Sequence, residues 1–269
     1  MKKQRIISFL LAFILILSSL PGALAEEADS ENIAEAFDTE NMDAVVEECL
    51  KELRADPSHV SVAFKDTASD RYYYYNADRW IYTASLYKLP VCMSYANRLK
   101  NGEAEADSLA LPDDEVFRKV LEFSDYCWVV KLANEMYGTS RTNESMRRQD
   151  LEYAGFSEED LPKNFFSKSL YSARFCLAIV EELYENAGEY PNVIEHMKLA
   201  SPDKYLRKNL GDEYEIAQKY GSDLRCVHAA GIIYTDSPIL IVIMTDEQFD
   251  RTGNAIIGAL AERIVEELS

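Results

Sequence analysis

The sequence predicts a mixed α/β fold in which a lobe with an antiparallel sheet, built from both ends of the chain, carries an inserted all-helical lobe. Strand-like runs cluster near residues 59–76 and 214–244, and the residues between them show apolar positions at helical spacing. A helical pattern also precedes the first strands and follows the last one. Because sheets and helices bury their apolar faces against each other, this order predicts one interleaved domain.

The N-terminal segment has the pattern of a secretory signal peptide. Basic residues at its start are followed by the apolar run Ile6 to Leu17 and by the small-residue site Ala23-Leu24-Ala25. We therefore expect cleavage after residue 25 and a secreted or cell-envelope protein. The apolar run is too short to predict a membrane span that persists after cleavage. Residues 26–40 are acidic without apolar periodicity, which predicts a solvated linker before a domain over 41–269.

The first part of the sheet lobe is expected over residues 41–84. An amphipathic helix begins at Asn41, an N-cap residue, and has apolar positions through Leu53. Two β-prone runs, His59–Phe64 and Arg71–Asn76, follow with a polar turn between them. This pattern predicts a β-hairpin.

The helical lobe is expected over residues 85–209. Its first helix begins at Ser85 and runs to about Lys100, with an inward apolar face. Further helices are predicted at Glu115–Phe123, Trp128–Tyr137, Tyr171–Tyr184, Ile194–Ala200 and Lys204–Asn209.

The chain then returns to the sheet lobe over residues 210–269. Strands are predicted at Tyr214–Gly221, Cys226–Tyr234 and Ile239–Met244, and an amphipathic helix closes the sequence. The two lobes predict a cleft between them, which is a common place for a ligand.

Charge and cysteine content limit the function classes. The net charge of −19 makes nucleic acid an improbable partner, and a soluble monomer is expected. The five cysteines lack metal-ligand spacing and are interpreted mainly as small buried residues, with a disulfide at Cys92 left open. No metal or other cofactor is predicted.

The segment Ser85-Leu86-Tyr87-Lys88 carries the clearest chemical signal. A helix start at Ser85 would place the serine hydroxyl and the Lys88 amine one turn apart on one face. If burial lowers the pKa of the amine, it can act as the base for a serine nucleophile. A second Ser-x-x-Lys runs from Ser201 to Lys204, but its Pro and Asp predict a simple helix start.

Two further motifs accompany Ser85, namely Ser124-Asp125-Tyr126 and Lys219-Tyr220-Gly221-Ser222. In this order the three motifs resemble those of the penicillin-recognising serine hydrolases, the class A β-lactamases and D-Ala-D-Ala peptidases, which are Ser-x-x-Lys, Ser-Asp-Asn and Lys-Thr/Ser-Gly. The resemblance covers roughly residues 42–269 and implies a β-lactamase/transpeptidase-like fold. The tyrosines at 126 and 220 depart from the family pattern.

The resemblance implies a mechanism. Ser85 would attack an amide or β-lactam carbonyl, Lys88 would accept its proton, and Ser124 would relay a proton to the leaving nitrogen. Lys219 would hold the substrate carboxylate. The backbone N–H groups of Ser85 and Ser222 would form the oxyanion hole.

The remaining site residues have weaker assignments. Tyr126 stands where the family has a substrate-contacting Asn, Asp125 supports either the loop or the substrate, and Gly221 completes the third motif. For deacylation the nearest carboxylates are Glu158, Glu159 and Asp160. Asp160 has Asn164 four residues later, as in the family's Glu-Pro-x-x-Asn element, although the segment is equally a helix N-terminus. Plain structural readings also stay open for the main residues: a helix cap for Ser85 and Ser124, and an exposed strand lysine for Lys219.

Three hypotheses for the function follow. The first is an exported β-lactamase that forms and hydrolyses an acyl-enzyme. The second is a D-Ala-D-Ala carboxypeptidase-like enzyme that acts on a cell-wall peptide and retains β-lactams. The third is a non-catalytic wall-binding or sensor domain. All three imply a small-molecule β-lactam or a wall peptide as the ligand.

Overall fold

The computed structural model describes residues 39–139, 142–223 and 225–268. The predicted signal peptide and nearly all of the predicted linker lie outside these ranges. In the part of the chain that the structure describes, no helix is long and apolar enough to cross a bilayer.

The core of the fold is a five-stranded antiparallel sheet with the order β2-β1-β7-β6-β5. The strands are β1 (Val60–Asp66), β2 (Arg71–Tyr75), β5 (Glu215–Asp223), β6 (Cys226–Tyr234) and β7 (Ile239–Thr245). The predicted hairpin and the three C-terminal strands are confirmed. The sheet therefore combines strands from both ends of the chain, as the sequence predicted.

The central strands are apolar at successive positions because both faces of the sheet are covered. On β7, Ile241 and Ile243 pack toward helices α1 (Thr39–Glu52) and α9 (Asp250–Leu268). The intervening Val242 belongs to the opposite core cluster, where helix α6 (Ala173–Glu185) lies on the sheet. Helices on both faces confirm the mixed α/β class.

The remaining helices lie between residues 88 and 210. They are α2 (Lys88–Lys100), α3 (Asp113–Phe117), a π-helical turn (Arg118–Glu122), α4 (Tyr126–Tyr137), α5 (Thr142–Ala154), α7 (Pro191–Lys198) and α8 (Arg207–Leu210). Helix α5 was not predicted. Two of its buried positions are Arg147 and Asp150, which pair with each other, so the sequence shows no apolar stripe there.

Neither of the two serines predicted to start a helix does so. Helix α2 begins at Lys88 rather than at Ser85, because Ala84 has a positive φ of 45° and residues 84–87 form a turn. Ser201 does not start a helix either: its φ is 43°, and helix α8 begins only at Arg207. Both serines lie in turns.

A two-stranded pairing, too short to show periodicity, lies beside the Ser85 turn. Strand β3 (Ile81–Tyr82) pairs with β4 (Leu170–Tyr171) in antiparallel register. This pairing holds the chain that leads into the first motif.

The cysteines follow the prediction only in part. Cys49, Cys92 and Cys176 are buried, whereas Cys226 is partly exposed and Cys127 is exposed. All five are free, so the structure places no disulfide at Cys92. The exposed Cys127 lies on the first turn of α4 and corrects the expectation of burial.

Candidate active site

The Ser85 turn is held by main-chain contacts on both sides. The Thr83 N–H donates to the Ser169 carbonyl at 3.0 Å, and the Lys88 N–H donates to the Ser85 carbonyl at 3.2 Å. Ser85 itself is partly exposed. It lies one residue after the left-handed Ala84 and three before a buried lysine, so its hydroxyl is presented from a turn and not from a helix.

The third motif reaches this turn because Gly221 has no side chain. A Cβ atom at Gly221 would lie 2.7 Å from the Ser85 backbone nitrogen and 3.0 Å from the Ala84 Cβ. Strand β5 therefore runs directly against the turn, and its glycine permits the approach. This packing places the backbone N–H of Ser85 beside strand β5, the two elements that the resemblance assigns to an oxyanion hole.

Under the acyl-enzyme mechanism that the resemblance implies, replacing Gly221 with alanine is expected to lower acylation about 10²-fold. The new methyl group would push β5 away from the Ser85 turn, and a shift of about 1 Å has this effect on reacting groups. Acylation by a fluorescent penicillin measures the loss. The matched control is Gly188→Ala, where a Cβ would meet no atom within 4 Å. Normal acylation of Gly221→Ala would contradict the proposed importance of this contact.

The three motifs meet at the Ser124 hydroxyl. The Lys88 amine lies 3.2 Å from Ser124 Oγ and also contacts the Ser124 carbonyl oxygen. The Lys219 amine lies 3.0 Å from the same Oγ and donates to the Tyr220 carbonyl at 2.6 Å. Among the described residues, the hydrogen bonds of the Lys88 amine go to Ser124 and not to Ser85.

Burial of the two amines sets their charge. Lys88 is 1% exposed and Lys219 is 0% exposed, so Lys219 is not the exposed strand lysine that the sequence left open. Burial lowers the pKa of Lys88 to about 8, although Asp125 and Cys92 act in the opposite direction. Burial and the nearby Lys88 charge hold the pKa of Lys219 well below its ordinary value. Burial therefore shifts both amines toward their neutral forms.

The loop that carries Ser124 has an unusual backbone. Ser124 has a positive φ of 53°, and the helix cap is the next residue, since Asp125 Oδ1 accepts from the Trp128 N–H at 3.1 Å. The capping alternative thus applies to Asp125 and not to Ser124. Tyr126 follows with 68% exposure and no described hydrogen bond.

A cleft of about 580 Å³ lies beside the Ser85 turn. Its walls include Tyr82 and Tyr87, which flank Ser85 in sequence, and Tyr126 from the second motif. Asn134 and Ser169 are among its polar lining residues. Aromatic walls with a few polar groups are typical of small-molecule sites.

Comparison with known proteins identifies the family of the chain. A sequence profile of the beta-lactamase enzyme family matches residues 44–116 and 114–268. The chain belongs to this family. No curated protein sequence matches it significantly.

Solved structures similar to this β-lactamase-family chain are class A β-lactamases and related proteins. A β-lactamase from Xanthomonas campestris has a TM-score of 0.70 at 15% identity, covering 86% of this chain and 98% of that one. A β-lactamase from Chitinophaga pinensis has a TM-score of 0.69 at 16% identity, covering 85% and 100%. A variant of an ancestral class A β-lactamase of Gram-negative bacteria, bound to 5(6)-nitrobenzotriazole, has a TM-score of 0.69 at 15% identity, covering 83% and 97%. At these identities the likeness concerns the fold.

The carboxylates considered for deacylation lie away from the cleft of this family member. Asp160 is exposed and accepts from Ser157 Oγ at 2.7 Å, in the short 3-10 helix Glu158–Asp160, and Glu159 is exposed beside it. This arrangement matches the helix-terminus alternative. Among the described lining residues the carboxylate is Glu144 on α5, whose Oε1 pairs with Arg148 at 3.0 Å.

The side chain of Ser222, the last residue of the third motif, has a structural partner. Its hydroxyl donates to Asp250 Oδ1 at 2.8 Å, at the start of α9, so the side chain is directed to a helix terminus. Only its backbone N–H stays a candidate for the oxyanion hole.

His228 was missed as a supporting residue. It is buried opposite Gly221 on β6, its Nδ1 accepts from the Thr245 N–H at 3.2 Å, and its Nε2 lies 2.8 Å from the Tyr82 carbonyl. Burial lowers the pKa of His228 to about 4, which keeps the ring neutral. The histidine ties the sheet to the strand before Ser85. The sequence signal that could have revealed this role is a histidine within an otherwise apolar strand.

Proposed function

We propose that this chain is an exported serine hydrolase that opens β-lactam amide bonds through an acyl-enzyme on Ser85. The observation that carries the proposal is the convergence of the Lys88 and Lys219 amines on Ser124 Oγ, at 3.2 and 3.0 Å. A non-catalytic binding domain has no need to bury two amines around one hydroxyl, because burying cationic groups costs free energy.

In the proposed reaction Ser85 attacks the lactam carbonyl and loses its proton to the neutral Lys88 amine. The proton then passes through the Ser124 hydroxyl to the leaving nitrogen, which Ser124 reaches because it contacts Lys88 directly. The lactam C–N bond breaks as the Ser85 ester forms. The backbone N–H of Ser85, beside Gly221, is proposed as one donor to the oxyanion.

Lys219 is proposed to act when the substrate binds. Its amine is enclosed by Ser124 Oγ, the Tyr220 carbonyl and the Tyr220 ring, so we propose that it acts on the substrate carboxylate through the Ser124 hydroxyl. Tyr126, Tyr82 and Tyr87 are proposed to line the substrate-binding part of the cleft. The ligand is a β-lactam or a wall peptide.

We expect the acyl-enzyme to be hydrolysed slowly. Activating water next to an acyl-enzyme needs a base within reach of the ester. Glu159 and Asp160 are exposed outside the cleft, and Glu144 is engaged by Arg148. These placements favour the alternative in which the machinery serves a D-Ala-D-Ala peptidase and holds β-lactams as stable adducts.

One experiment tests both candidates. The mature domain is mixed with a chromogenic cephalosporin while hydrolysis and intact mass are followed over time. We expect a rapid stoichiometric mass increase followed by slow turnover. Fast sustained turnover would point to an efficient β-lactamase with another base, a permanent adduct would favour the peptidase, and no adduct with no hydrolysis would support a binding or sensor domain.

A further inference from the structure

Tyr220 occupies the middle position of the third motif, where the resemblance leads one to expect Thr or Ser. Its hydroxyl donates to the Glu122 carbonyl at 3.0 Å, across the gap between β5 and the π-helical turn. Its ring stacks on Tyr205 with a centroid distance of 4.7 Å and an interplanar angle of 16°. The side chain therefore bridges the Lys219 strand and a residue two positions before Ser124.

The segment that Tyr220 contacts, residues 122–125, is held in place by hydrogen bonds to residues outside it. Ser124 has a left-handed backbone, which disfavours a residue with a Cβ. The Asp125 N–H donates to the Lys119 carbonyl at 2.9 Å, and the Glu122 carboxylate lies 2.6 Å from His196 Nδ1. Two side-chain hydrogen bonds join this segment to β5: one from the Tyr220 hydroxyl to the Glu122 carbonyl, and one from the Lys219 amine to Ser124 Oγ.

The ring of Tyr220 also packs against the Lys219 amine. Lys219 Nζ lies 4.1 Å from the ring centroid, within the range in which an aromatic face attracts a cation. Across the described residues, neither Lys219 nor Lys88 forms an ion pair with a carboxylate. The aromatic face thus gives partial compensation to a buried amine that lacks a counterion.

We propose that Tyr220 is a positioning residue: its hydroxyl fixes the Ser124 loop to the Lys219 strand and its ring supports the Lys219 amine, so that Ser124 Oγ stays between the two lysines. The expected loss of acylation rests on the proposed function, whereas the proposed positions of the loop and the amines do not.

Loosening this connection should change the titration of the lysine pair. The groups that face the pair are Asp125 at the start of α4 and Cys92 on α2, together with the two lysines on α2 and β5. Burial is the main cause of the lowered pKa of each lysine. Water that enters beside a displaced Ser124 loop would therefore raise the pKa of Lys88 toward its ordinary value.

The test is Tyr220→Phe, which keeps the ring and removes the hydroxyl. We expect single-turnover acylation by a chromogenic cephalosporin to fall about tenfold, the usual effect of losing one hydrogen bond worth ~1.4 kcal/mol. We also expect the midpoint of its pH profile to rise by about half a unit or more. The unfolding temperature should fall by only a few degrees, since one hydrogen bond is lost. The matched control is Tyr205→Phe, which keeps the stacked ring and leaves the Glu122 contact in place.

A second variant tests whether this chain needs Tyr220 at a position where the family has Thr or Ser. Tyr220→Thr restores the motif that the resemblance leads one to expect but removes both the bridge and the ring. Acylation should fall further than in Tyr220→Phe. A gain in acylation on this motif repair would overturn the proposal, and so would a Tyr220→Phe variant with lower stability but an unmoved pH midpoint.

A readout without turnover keeps the test independent of the proposed function. Lysine side chains labelled with ¹³C at Cε report the titration of the amines by NMR, and Lys88→Met identifies the Lys88 signal. A higher Lys88 midpoint in Tyr220→Phe would support the proposal even if wild-type protein formed no acyl-enzyme. An unchanged midpoint would overturn it even if acylation were slower.

Discussion

Replacing Ser85 with alanine is expected to abolish covalent labelling by a fluorescent penicillin and to reduce cephalosporin hydrolysis to background. Ser85 is partly exposed in a turn between two tyrosines of the cleft wall, and β5 packs against its backbone nitrogen. Without the hydroxyl no ester can form. Loss of the nucleophile in serine acyl transfer lowers kcat by roughly 10⁶-fold.

The matched control comes from the second Ser-x-x-Lys segment. Ser201→Ala removes a serine with the same spacing to a lysine and also in a left-handed turn. We expect this variant still to be labelled, at Ser85, because Lys204 is exposed and cannot act as a buried base. Its labelling rate is compared with that of Tyr220→Phe, since the Ser201 side chain contacts Tyr220. If Ser85→Ala were still labelled, peptide mapping of the adduct would locate a different nucleophile and the proposed mechanism would be wrong.

The sequence predicted the sheet well because its strands carry strong local signals. A long apolar run marks β7, β6 is apolar apart from His228, and an aromatic run marks β2. Helix α5 escaped prediction because its core positions include the buried pair Arg147 and Asp150, which a pattern of apolar residues cannot reveal. Burial of a charge pair depends on neighbours far away in sequence.

The motifs predicted which residues matter but not how they are arranged. Spacing suggested a direct contact between Ser85 and Lys88 on one helix, whereas the helix begins at Lys88 and its amine contacts Ser124. The positive φ of Ala84 and the approach of Gly221 decide this arrangement. Both are tertiary effects, because they depend on where β5 packs.

The prediction of a deacylating base rested on residue spacing. Asp160 and Asn164 are separated by the family interval, yet Asp160 accepts a hydrogen bond from Ser157 on the surface. A four-residue interval between two common polar residues carries little information. The cleft instead presents Glu144 from the unpredicted helix α5, and this carboxylate is engaged by Arg148.

Replacing Lys88 with methionine is expected to lower acylation by at least ~10²-fold, the usual contribution of a positioned general base. Methionine keeps an unbranched side chain of similar length but cannot accept a proton. The fluorescent-penicillin assay measures the loss. In the wild type, acylation should rise with pH through about 8, since the neutral amine accepts the Ser85 proton.

The same substitution is expected to stabilise the fold at pH 7, by roughly 1–3 kcal/mol. The pKa of Lys88 is about 8 in the folded chain against an ordinary value of 10.5, so the charged amine is disfavoured by folding. This penalty is fully present below pH 8. It disappears as the pH rises to 10.5, because the unfolded chain binds more protons over that interval.

Urea unfolding at pH 7 and pH 10 measures this effect. The free energy of unfolding of Lys88→Met should exceed that of the wild type at pH 7, and the difference should shrink at pH 10. Lys204→Met, from the exposed lysine of the second segment, should change neither stability nor acylation. A less stable Lys88→Met protein with normal acylation would assign Lys88 a structural role. Greater stability together with lost acylation would mean that the buried amine is kept for its chemistry at the expense of the fold.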